Sequence, residues 1–469
     1  MSFTHDFDAT SLREYDIRGI VGTTLSAEDA FAIGRTFGSL VRRNGGKTLV
    51  VGYDGRLSSP MLEEALVKGA LECGLHVTRV GRGPTPMLYY ASATLNADGA
   101  IMVTGSHNPP NYNGFKMMLA GKPFFGAQIR ELGDLAARSD VVAAEAGTVR
   151  TIDLRDDYVK RLVKDYDGGT RKLKIVWDNG NSSAGEVLEK MVALLPGEHI
   201  VLNAAIDGTF PAHHPDPTVA KNLEQLIAAV KDNHADLGIA FDGDADRIGL
   251  VDNKGHILWG DQILVLLARD VLKSHSDATI IADVKASQVL FDEVARAGGK
   301  PLMWRTGHSL IKSKMAETGS PLAGEMSGHI FFADKWYGFD DALYAGVRVL
   351  GIVARSDETL SAFREALPAT LSTPEVRFDC DDHRKFKVIE EVAERLRKSG
   401  ADVSEIDGVR VNTTDGWWLL RASNTQAVLV ARAEGRDDAG LERLKGALVE
   451  QLEQSGLSRP DFSGNNAGH

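Results

Sequence analysis

The sequence has few cysteines and no long apolar segment. Its 469 residues include only Cys73 and Cys380, which excludes a disulfide framework. The run at 263–268, "ILVLLA", is among the longest apolar runs, far below the roughly 18 to 20 residues of a membrane-spanning helix. Residues 1–16 have neither a basic region nor an apolar core. We therefore expect no secretory signal, no membrane association and a cytoplasmic location.

Positive charge is also scarce. Lys and Arg number 53 against 65 Asp and Glu, the formal net charge is −12, and no basic block stands out. Nucleic acid is therefore not an expected partner. A protein of this charge that binds an anionic substrate needs Lys and Arg placed locally, in loops. The composition, 43% hydrophobic and 25% charged, is that of an ordinary globular protein.

Three segments of the chain share one plan. Each opens with a strand-like run that ends on a polar turn, at 48–56, 173–181 and 279–287, and continues with a helical pattern. Each then has a second apolar run that leads into a loop of unusual composition. This alternation predicts three similar mixed α/β domains with mainly parallel sheets. In such sheets, ligands bind at the loops beyond the carboxyl ends of the strands.

The last hundred residues differ from this plan. "EVRFDC" resembles a strand, and 384–400 an amphipathic helix that ends at Gly400. Three strand-like runs and a final helical pattern at 437–454 follow. This order predicts a smaller C-terminal α+β domain with antiparallel strands.

The motif "DGDADR" at 242–247 follows the apolar run "LGIAF" and presents Asp242, Asp244 and Asp246. Three carboxylates this close repel one another unless they share a cation, and a site made only of oxygens favours Mg²⁺ or Ca²⁺. The Gly and Glu of an EF-hand are missing from the required positions, so Mg²⁺ is the better prediction. Arg247 adds a planar donor for a phosphate. A solvated acidic turn is the alternative.

The loop "VTGSHNPPNYNGFK" places Ser106 between Gly105 and His107. It lacks the G-x-S-x-G pattern of a hydrolase nucleophile, and an adjacent histidine is no evidence of a catalytic triad. Gly105 permits close approach of the backbone, and two prolines stiffen the following residues. This favours a serine on a rigid loop that faces a bulky anion, with an ordinary turn serine as the alternative.

Two further loops offer groups for a sugar phosphate. "GEMSGH" places Glu325, Ser327 and His329 at alternating positions, which on an extended segment share one face and suit sugar hydroxyls. "RASNTQ" at 421–426 combines a guanidinium, hydroxyls and an amide, the donors that hold a phosphate. A partly solvated loop and a hairpin turn are the respective alternatives.

Together with "YDIRG" near the N-terminus, these motifs occur in the order typical of the α-D-phosphohexomutase superfamily, which the chain closely resembles. Within it, the resemblance is closest to the bacterial phosphomannomutase/phosphoglucomutase branch. The resemblance implies four domains around a central cleft: three similar α/β domains and a smaller C-terminal one. We expect them at 1–150, 151–256, 257–370 and 371–469, carrying in turn the serine, aspartate, sugar and phosphate loops.

The resemblance also implies a mechanism. Ser106 is expected to be a phosphoserine, and Mg²⁺ to be held by this residue and the three aspartates. The phosphoryl group passes between Ser106 and O1 or O6 of a hexose phosphate. Substrates are hexose 1-phosphates and 6-phosphates, a hexose 1,6-bisphosphate is the intermediate and activator, and the enzyme is expected to be a monomer.

Residue roles follow from the resemblance. His329 is expected to be the general base. Near the transferring phosphoryl group we expect Arg18, Lys116 and His107. Substrate contacts are expected from Tyr15, which positions its neighbours, and from Arg247, Lys285, His308, Glu325, Ser327, Arg421, Ser423, Asn424 and Thr425.

Other activities stay open at this stage. Phosphoglucosamine mutases share the architecture, but usually read "GEQSGH" and have alanine before the serine; Met326 and Gly105 argue against that branch. A Mg²⁺-dependent sugar phosphatase and a non-catalytic phosphosugar-binding protein are weaker alternatives. By the same resemblance, Glu325 and Ser327 are expected to bind sugar hydroxyls other than the one at C2, where glucose and mannose differ. This favours use of both glucose and mannose phosphates.

Overall fold

The computed structural model describes residues 4–424 and 426–462, and here the chain forms four β-sheets with helices packed against them. The predicted architecture of three mixed α/β domains and a C-terminal α+β domain is confirmed. The boundaries after residues 150, 256 and 370 stay predictions. Within the described ranges, no helix is both long and apolar enough to cross a membrane.

The first sheet has seven strands. They are β1 (Ile17–Ile20), β2 (Thr48–Tyr53), β3 (His76–Arg82), β4 (Gly99–Val103), β5 (Tyr112–Leu119), β6 (Lys122–Phe124) and β7 (Val149–Thr151). The helices of this part are α1 (Ala27–Arg43), α2 (Ser59–Glu72), α3 (Thr85–Thr94) and α4 (Ala127–Ala137). The strand order is β1-β5-β4-β2-β3-β7, with β6 on β5. Strands β4, β2, β3 and β7 are parallel neighbours, whereas β5 runs antiparallel to β1, β4 and β6.

The second sheet follows the same plan with five strands. Its elements are α5 (Arg155–Val163), β8 (Lys174–Asp178), α6 (Gly185–Val192), β9 (Glu198–Leu202), a 3₁₀ helix (Ala220–Leu223), α7 (Glu224–Asp232), β10 (Leu237–Phe241), β11 (Ile248–Asp252) and β12 (Ile257–Leu258). The order is β12-β11-β10-β8-β9. Strands β10, β8 and β9 are parallel, and β11 and β12 add antiparallel pairs at one edge.

The third sheet has four strands. Its part of the chain contains α8 (Gly260–Ser274), β13 (Thr279–Asp283), α9 (Gln288–Arg296), β14 (Lys300–Trp304), α10 (His308–Thr318), β15 (Leu322–Gly324), β16 (Ile330–Phe332), α11 (Ala342–Arg355) and α12 (Leu360–Ala366). The order is β14-β13-β15-β16, and only the last pair is antiparallel.

The C-terminal sheet has only antiparallel pairs. Its elements are β17 (Leu371–Ser372), β18 (Val376–Asp379), α13 (Asp382–Ser399), β19 (Asp402–Ser404), β20 (Val409–Thr413), β21 (Gly416–Ala422), β22 (Val428–Gly435) and α14 (Asp438–Gln454). Helix α13 ends at Gly400 as predicted, and this glycine has the left-handed φ of 73° that a helix end favours.

The three special loops occupy one topological position. Residues 104–111, 242–247 and 325–329 each connect a strand with parallel neighbours to the antiparallel strand beside it: β4 to β5, β10 to β11 and β15 to β16. Each loop therefore lies at the carboxyl end of a parallel strand, where ligands bind in α/β sheets. Hydrogen-bonded strands on both sides limit its freedom to move.

Helices α1 and α2 pack at unusually close range. A Cβ atom added at Gly34 of α1 would lie 2.1 Å from the carbonyl oxygen of Leu66. One added at Gly69 of α2 would lie 2.2 Å from the carbonyl oxygen of Phe31. The backbones themselves are in contact there, so these two helices cannot accept a side chain at the crossing.

Replacing Gly34 by alanine should therefore destabilise the protein by about 1 to 3 kcal/mol, the usual cost of overpacking. The matched control is Gly446→Ala in α14, where an added Cβ has no neighbour within 4 Å. Alanine is the better helix former by about 1 kcal/mol, so this change should stabilise. Urea unfolding followed by circular dichroism measures both. Equal effects of the two substitutions would contradict the close packing of α1 and α2.

Candidate active site

Ser106 lies at the carboxyl end of β4 in a strained backbone conformation. Its φ is 51° and the residue is 2% exposed. The side-chain Oγ lies 3.3 Å from Asp242 Oδ2 and 3.3 Å from His107 Nδ1. The backbone N–H donates to Thr104 Oγ1 at 2.9 Å. The hydroxyl thus faces the aspartate loop of the second sheet.

Arg56, a residue that the sequence analysis missed, holds this loop in place. Its buried guanidinium donates to four carbonyl oxygens between residues 106 and 112: Ser106 at 2.7 Å, Asn108 at 2.6 Å, Pro109 at 2.5 Å and Tyr112 at 3.0 Å. A Cβ added at Gly105 would lie 2.3 Å from Arg56 Nε. The close approach predicted at Gly105 is therefore made by this side chain.

Asp54, directly after β2, forms hydrogen bonds with the same loop. Its carboxylate accepts hydrogen bonds from the Gly105 N–H at 3.0 Å and from Thr104 Oγ1 at 2.9 Å. It also accepts from Arg56 Nε at 3.2 Å. The polar turn after β2 was recognised in the sequence, but its partners more than 45 residues away were not.

The aspartate loop brings three buried carboxylates together. Oxygens of Asp242, Asp244 and Asp246 lie within 4.8 Å of one another, and all three residues are 0% exposed. Asp244 Oδ1 and Asp246 Oδ1 are buried and accept no hydrogen bond from the described residues. A hard divalent cation such as Mg²⁺ takes oxygen ligands of this type, so the donor set fits this ion.

Lys116 supplies the nearest positive charge. Its Nζ donates to Asp244 Oδ2 at 2.7 Å and also to Asp246 Oδ2. Burial alone would lower the pKa of Lys116, but these two carboxylates raise it well above its usual value. Burial, together with Asp246 and Asp244, raises the pKa of Asp242 well above the usual value. Burial and the neighbouring carboxylates thus disfavour the charged form of Asp242 despite the positive charges of Arg247 and Lys116, and a bound cation would offset this.

The sugar loop differs from the extended segment that the sequence predicted. Residues 325–329 form a tight turn, in which the Gly328 N–H donates to Glu325 O at 3.0 Å and Gly328 has a φ of 89°. The alternating-face argument is therefore wrong. The turn nonetheless brings the three side chains together, because His329 Nδ1 lies 3.1 Å from both Glu325 Oε2 and Ser327 Oγ.

His329 contacts the aspartate loop through its other ring nitrogen. Nε2 lies 3.3 Å from Asp246 Oδ1 and 3.4 Å from Arg247 Nε. Burial would lower the pKa of His329, but the Asp246 carboxylate outweighs it and raises the pKa to about 9. The imidazole is stacked on that of His308, with ring centroids 5.6 Å apart. The loops of the second and third sheets thus meet at this histidine.

His308 lies against a buried carboxylate that the sequence analysis missed. Its Nδ1 is 3.6 Å from Asp340 Oδ2, and Asp340 Oδ1 accepts from Lys312 Nζ at 2.9 Å. Burial lowers the pKa of His308 well below its usual value. Nothing in the local sequence around Asp340 distinguishes it from a surface aspartate.

Arg421 lies near the end of β21, just before the connection to β22, and its side chain is buried. Arg421 Nε donates to Asp407 Oδ2 at 3.1 Å, and the same carboxylate oxygen accepts the Thr306 N–H at 3.0 Å. Asn424 Nδ2 donates to Tyr15 OH at 2.7 Å. Thr425 lies outside the described residues.

Tyr15 connects three parts of the chain. We call the parts of the chain that form the four sheets the first, second, third and C-terminal units. The Tyr15 hydroxyl donates to Thr306 O at 2.7 Å in the third unit and accepts from Asn424 in the C-terminal unit. A Cβ added at Gly307 would lie 2.6 Å from Tyr15 Cζ, so the ring packs directly on that backbone. The ends of the first, third and C-terminal units therefore meet at this ring.

The remaining expected residues are also paired. Arg18 Nη1 donates to Asn108 Oδ1 at 2.5 Å, next to the serine loop, and Nη2 contacts Asp16. Lys285 Nζ donates to Glu375 Oε2 at 2.8 Å. Burial lowers the pKa of His107, the neighbour of Ser106, well below its usual value. Glu375, like Asp407, comes from the C-terminal unit and was not singled out in the sequence.

Comparison with known families agrees with this arrangement along the whole chain. Four family models of phosphoglucomutase/phosphomannomutase match the chain in order: α/β/α domain I at residues 9–141, domain II at 156–255, domain III at 259–371 and the C-terminal domain at 375–451.

Individual relatives are similar over nearly their full length. A phosphomannomutase/phosphoglucomutase of Pseudomonas putida is 47% identical over 440 residues, which are 94% of this chain and 95% of that protein. One from Pseudomonas aeruginosa is 44% identical over 452 residues, 96% and 97% of the two chains. A phosphoglucomutase of Neisseria meningitidis is 43% identical over 446 residues, 94% and 96%.

Solved structures share the fold. The crystal structure of a phosphoglucomutase/phosphomannomutase family protein from Burkholderia thailandensis has a TM-score of 0.90 at 44% identity, covering 96% of this chain and 98% of that one. Four consecutive domain matches, together with relatives above 40% identity, show that the chain belongs to the phosphoglucomutase/phosphomannomutase family.

Proposed function

We propose that the protein is a phosphomannomutase/phosphoglucomutase that moves a phosphoryl group between positions 1 and 6 of a hexose phosphate. The observation that carries this proposal is the position of Ser106 Oγ, 3.3 Å from Asp242 in a loop with three buried carboxylates. Family membership and the names of the relatives support it. As the family resemblance implies, we assign the phosphoserine to Ser106.

We propose that Asp242, Asp244, Asp246 and Ser106 hold Mg²⁺. The support is chemical: two of their buried oxygens accept no hydrogen bond from the described residues, and Lys116 offsets only part of their charge. When bound, Mg²⁺ neutralises part of the charge of a phosphoryl group, which at neutral pH is about −1.5 to −2 on a phosphoserine.

The proposed reaction has two half-reactions that mirror each other. In the first, the free O6 of a hexose 1-phosphate forms a bond to phosphorus while the bond from phosphorus to Ser106 Oγ breaks. The sugar hydroxyl loses its proton and Oγ gains one, and a hexose 1,6-bisphosphate results. After the sugar has reversed its orientation, the phosphoryl group at O1 returns to Ser106. A hexose 6-phosphate remains.

Proton transfer is assigned to His329. With a pKa of about 9, its imidazole holds a proton beside Asp246, and Glu325 fixes the ring from the opposite nitrogen. Near neutral pH this imidazolium can donate its proton to a leaving oxygen, and it can take the proton of an attacking hydroxyl, the role expected for it as general base, once it has lost its own. Arg18, Lys116 and His107, which border the serine or aspartate loop, are assigned to the environment of the transferring group.

Substrate binding is assigned to loops of the third and C-terminal units. We propose that Glu325 and Ser327 bind sugar hydroxyls, and that Lys285, His308 and Arg247 add contacts. Tyr15 positions Asn424, and the phosphate that does not react is assigned to four residues, Arg421, Ser423, Asn424 and Thr425. Because the proposed grip avoids C2, glucose and mannose phosphates should both be used. A monomer and a cytoplasmic location stay predictions.

Ser106→Ala should abolish nearly all turnover, because no other group can store the phosphoryl group between the half-reactions. Mass spectrometry of the parent should find a phosphoryl group on the peptide that contains Ser106, and a coupled assay measures turnover. The control Ser58→Ala removes a hydroxyl that accepts a hydrogen bond from Asn113 Nδ2 at 2.8 Å and should keep parental turnover. Residual activity within about tenfold of the parent in Ser106→Ala would refute the role.

Asp244→Asn should weaken Mg²⁺ binding, because the affinity of such sites depends on the number of ligand charges. Activity of the parent should disappear in EDTA and return with Mg²⁺. The Mg²⁺ concentration that gives half-maximal activity should be at least about tenfold higher for the variant than for the parent. Asp236→Asn is the control, since Asp236 pairs with Arg171 at 2.5 Å at the opposite end of β10. Full activity of rigorously metal-free protein would contradict the metal assignment.

Arg421→Ala should lower kcat/KM for glucose 1-phosphate and for mannose 1-phosphate by similar factors, because the phosphate is common to both. A lost charge-assisted contact costs about 2 to 4 kcal/mol, which is roughly 30- to 1000-fold. Arg397→Ala removes an exposed arginine paired with Glu405 in the same unit and should have no effect. Loss of only one substrate would show that Arg421 does not bind the phosphate.

A further inference from the structure

Lys285 lies in the turn between β13 and α9, and its charge is paired outside its own unit. Nζ donates to Glu375 Oε2 at 2.8 Å, whereas its nearest carboxylate in the third unit, Asp283, is 3.9 Å away. Glu375 Oε1 in turn accepts from Arg377 Nη2 at 2.8 Å. The side chain of Lys285 is therefore fixed by the C-terminal unit.

The backbone of the same turn is also held from the C-terminal unit. Arg410 Nη1 donates to Val284 O at 2.7 Å and to Ala286 O at 2.8 Å. Arg432 Nη1 donates to the carbonyl oxygen between them, that of Lys285, at 2.5 Å. Three successive carbonyl groups thus bind two guanidinium groups, and both contacts of Arg410 come from its Nη1.

Arg410 is itself rigidly placed. The residue is 0% exposed, and its guanidinium carbon lies 3.8 Å from the centroid of the Trp417 ring. Trp417 Nε1 donates to Glu434 Oε1 at 2.9 Å, which also accepts the Gln288 N–H at 3.0 Å. Stacking on an aromatic ring and burial leave the guanidinium no freedom to follow a displaced turn.

The two arginines and Arg421 belong to neighbouring strands of one sheet. In the register of β20, β21 and β22, Arg410 pairs with Leu419, and Leu419 pairs with Arg432. Arg421 follows Leu419 by two residues, so it lies on the same face of the sheet. Residues of the other face, among them Trp418 and Leu420, pack in the C-terminal core with side chains of α13 and α14.

We propose that Arg410 and Arg432 are positioning residues that hold Lys285 at a fixed place relative to Arg421. The inference rests on the proposed function, in which Lys285 and Arg421 bind the same sugar phosphate. Hydrogen-bonded strands fix the spacing of the three arginines. A fixed spacing lets binding energy at the distal phosphate contribute to placement of the sugar, instead of being lost in ordering a mobile lysine.

Arg410→Lys tests this role, because it keeps the charge but removes the planar guanidinium that stacks on Trp417 and whose Nη1 reaches two carbonyl groups. We expect KM for glucose 1-phosphate to rise about tenfold, as for the loss of one charge-assisted hydrogen bond. In a Lys285→Ala background, the same change should alter KM by less than about twofold, since no lysine remains to be misplaced. Hydrogen exchange of the amides at 286–290, measured without substrate, should be faster in Arg410→Lys.

Arg395→Lys is the matched control. Arg395 also binds a carbonyl oxygen of its own unit, that of Gln451 at 2.8 Å, and Ser455 Oγ at 2.7 Å, but in the pairing of α13 with α14. It should leave KM and the exchange at 286–290 unchanged. If Arg410→Lys does not fold, Arg432→Lys replaces it in the same measurements.

Two results would overturn the inference. One is unchanged exchange at 286–290 in Arg410→Lys. The other is a KM of the double variant that rises by the product of the factors found for Arg410→Lys and Lys285→Ala alone, as it would if the two residues acted independently. A parent that interconverts no hexose phosphate would instead refute the proposed function, while the exchange measurement would still report on the arginine contacts.

Discussion

Lys116 lies between Asp244 and Asp246, and these buried ion pairs join the first two sheets at the proposed active site. Unpaired, the carboxylates would repel one another at short range in a region with no access to water. Because the ammonium offsets part of their charge, the aspartate loop can pack tightly on the serine loop. A Cβ added at Gly243 would lie 2.3 Å from Ser106 O. The short distance between the proposed nucleophile and the proposed metal ligands depends on this local charge balance.

Buried ion pairs and hydrogen bonds also connect the units where they meet. Lys285 is paired with Glu375, and Tyr15 is bonded to both Thr306 and Asn424. Each of these partners belongs to a different unit from the residue that it contacts. Loss of one partner leaves a buried polar group unpaired, which costs about 1 to 3 kcal/mol or more. The geometry of each loop is therefore a property of the four units together.

Sequence patterns gave the loops and most strands, because these depend on local periodicity and turn residues. The helix end at Gly400 and the antiparallel C-terminal strands belong to this class. Arg56, Glu375 and Asp407 were missed, because their roles come from partners far away in the chain and no local pattern marks them. The segment 325–329 was predicted to be extended but forms a turn. Gly328, whose φ is left-handed in the structure, was the residue in the sequence that could have indicated this turn.

The backbone of Ser106, with a φ of 51°, has one more consequence. A side chain branched at Cβ is strongly disfavoured in the left-handed region, since its two γ atoms crowd the neighbouring peptide groups. Of the two aliphatic alcohols among the amino acids, only serine therefore suits this position. The carbonyl contacts of Arg56 stabilise that backbone. An arginine 50 positions earlier in the chain thus restricts the chemical identity of the proposed nucleophile before any substrate is bound.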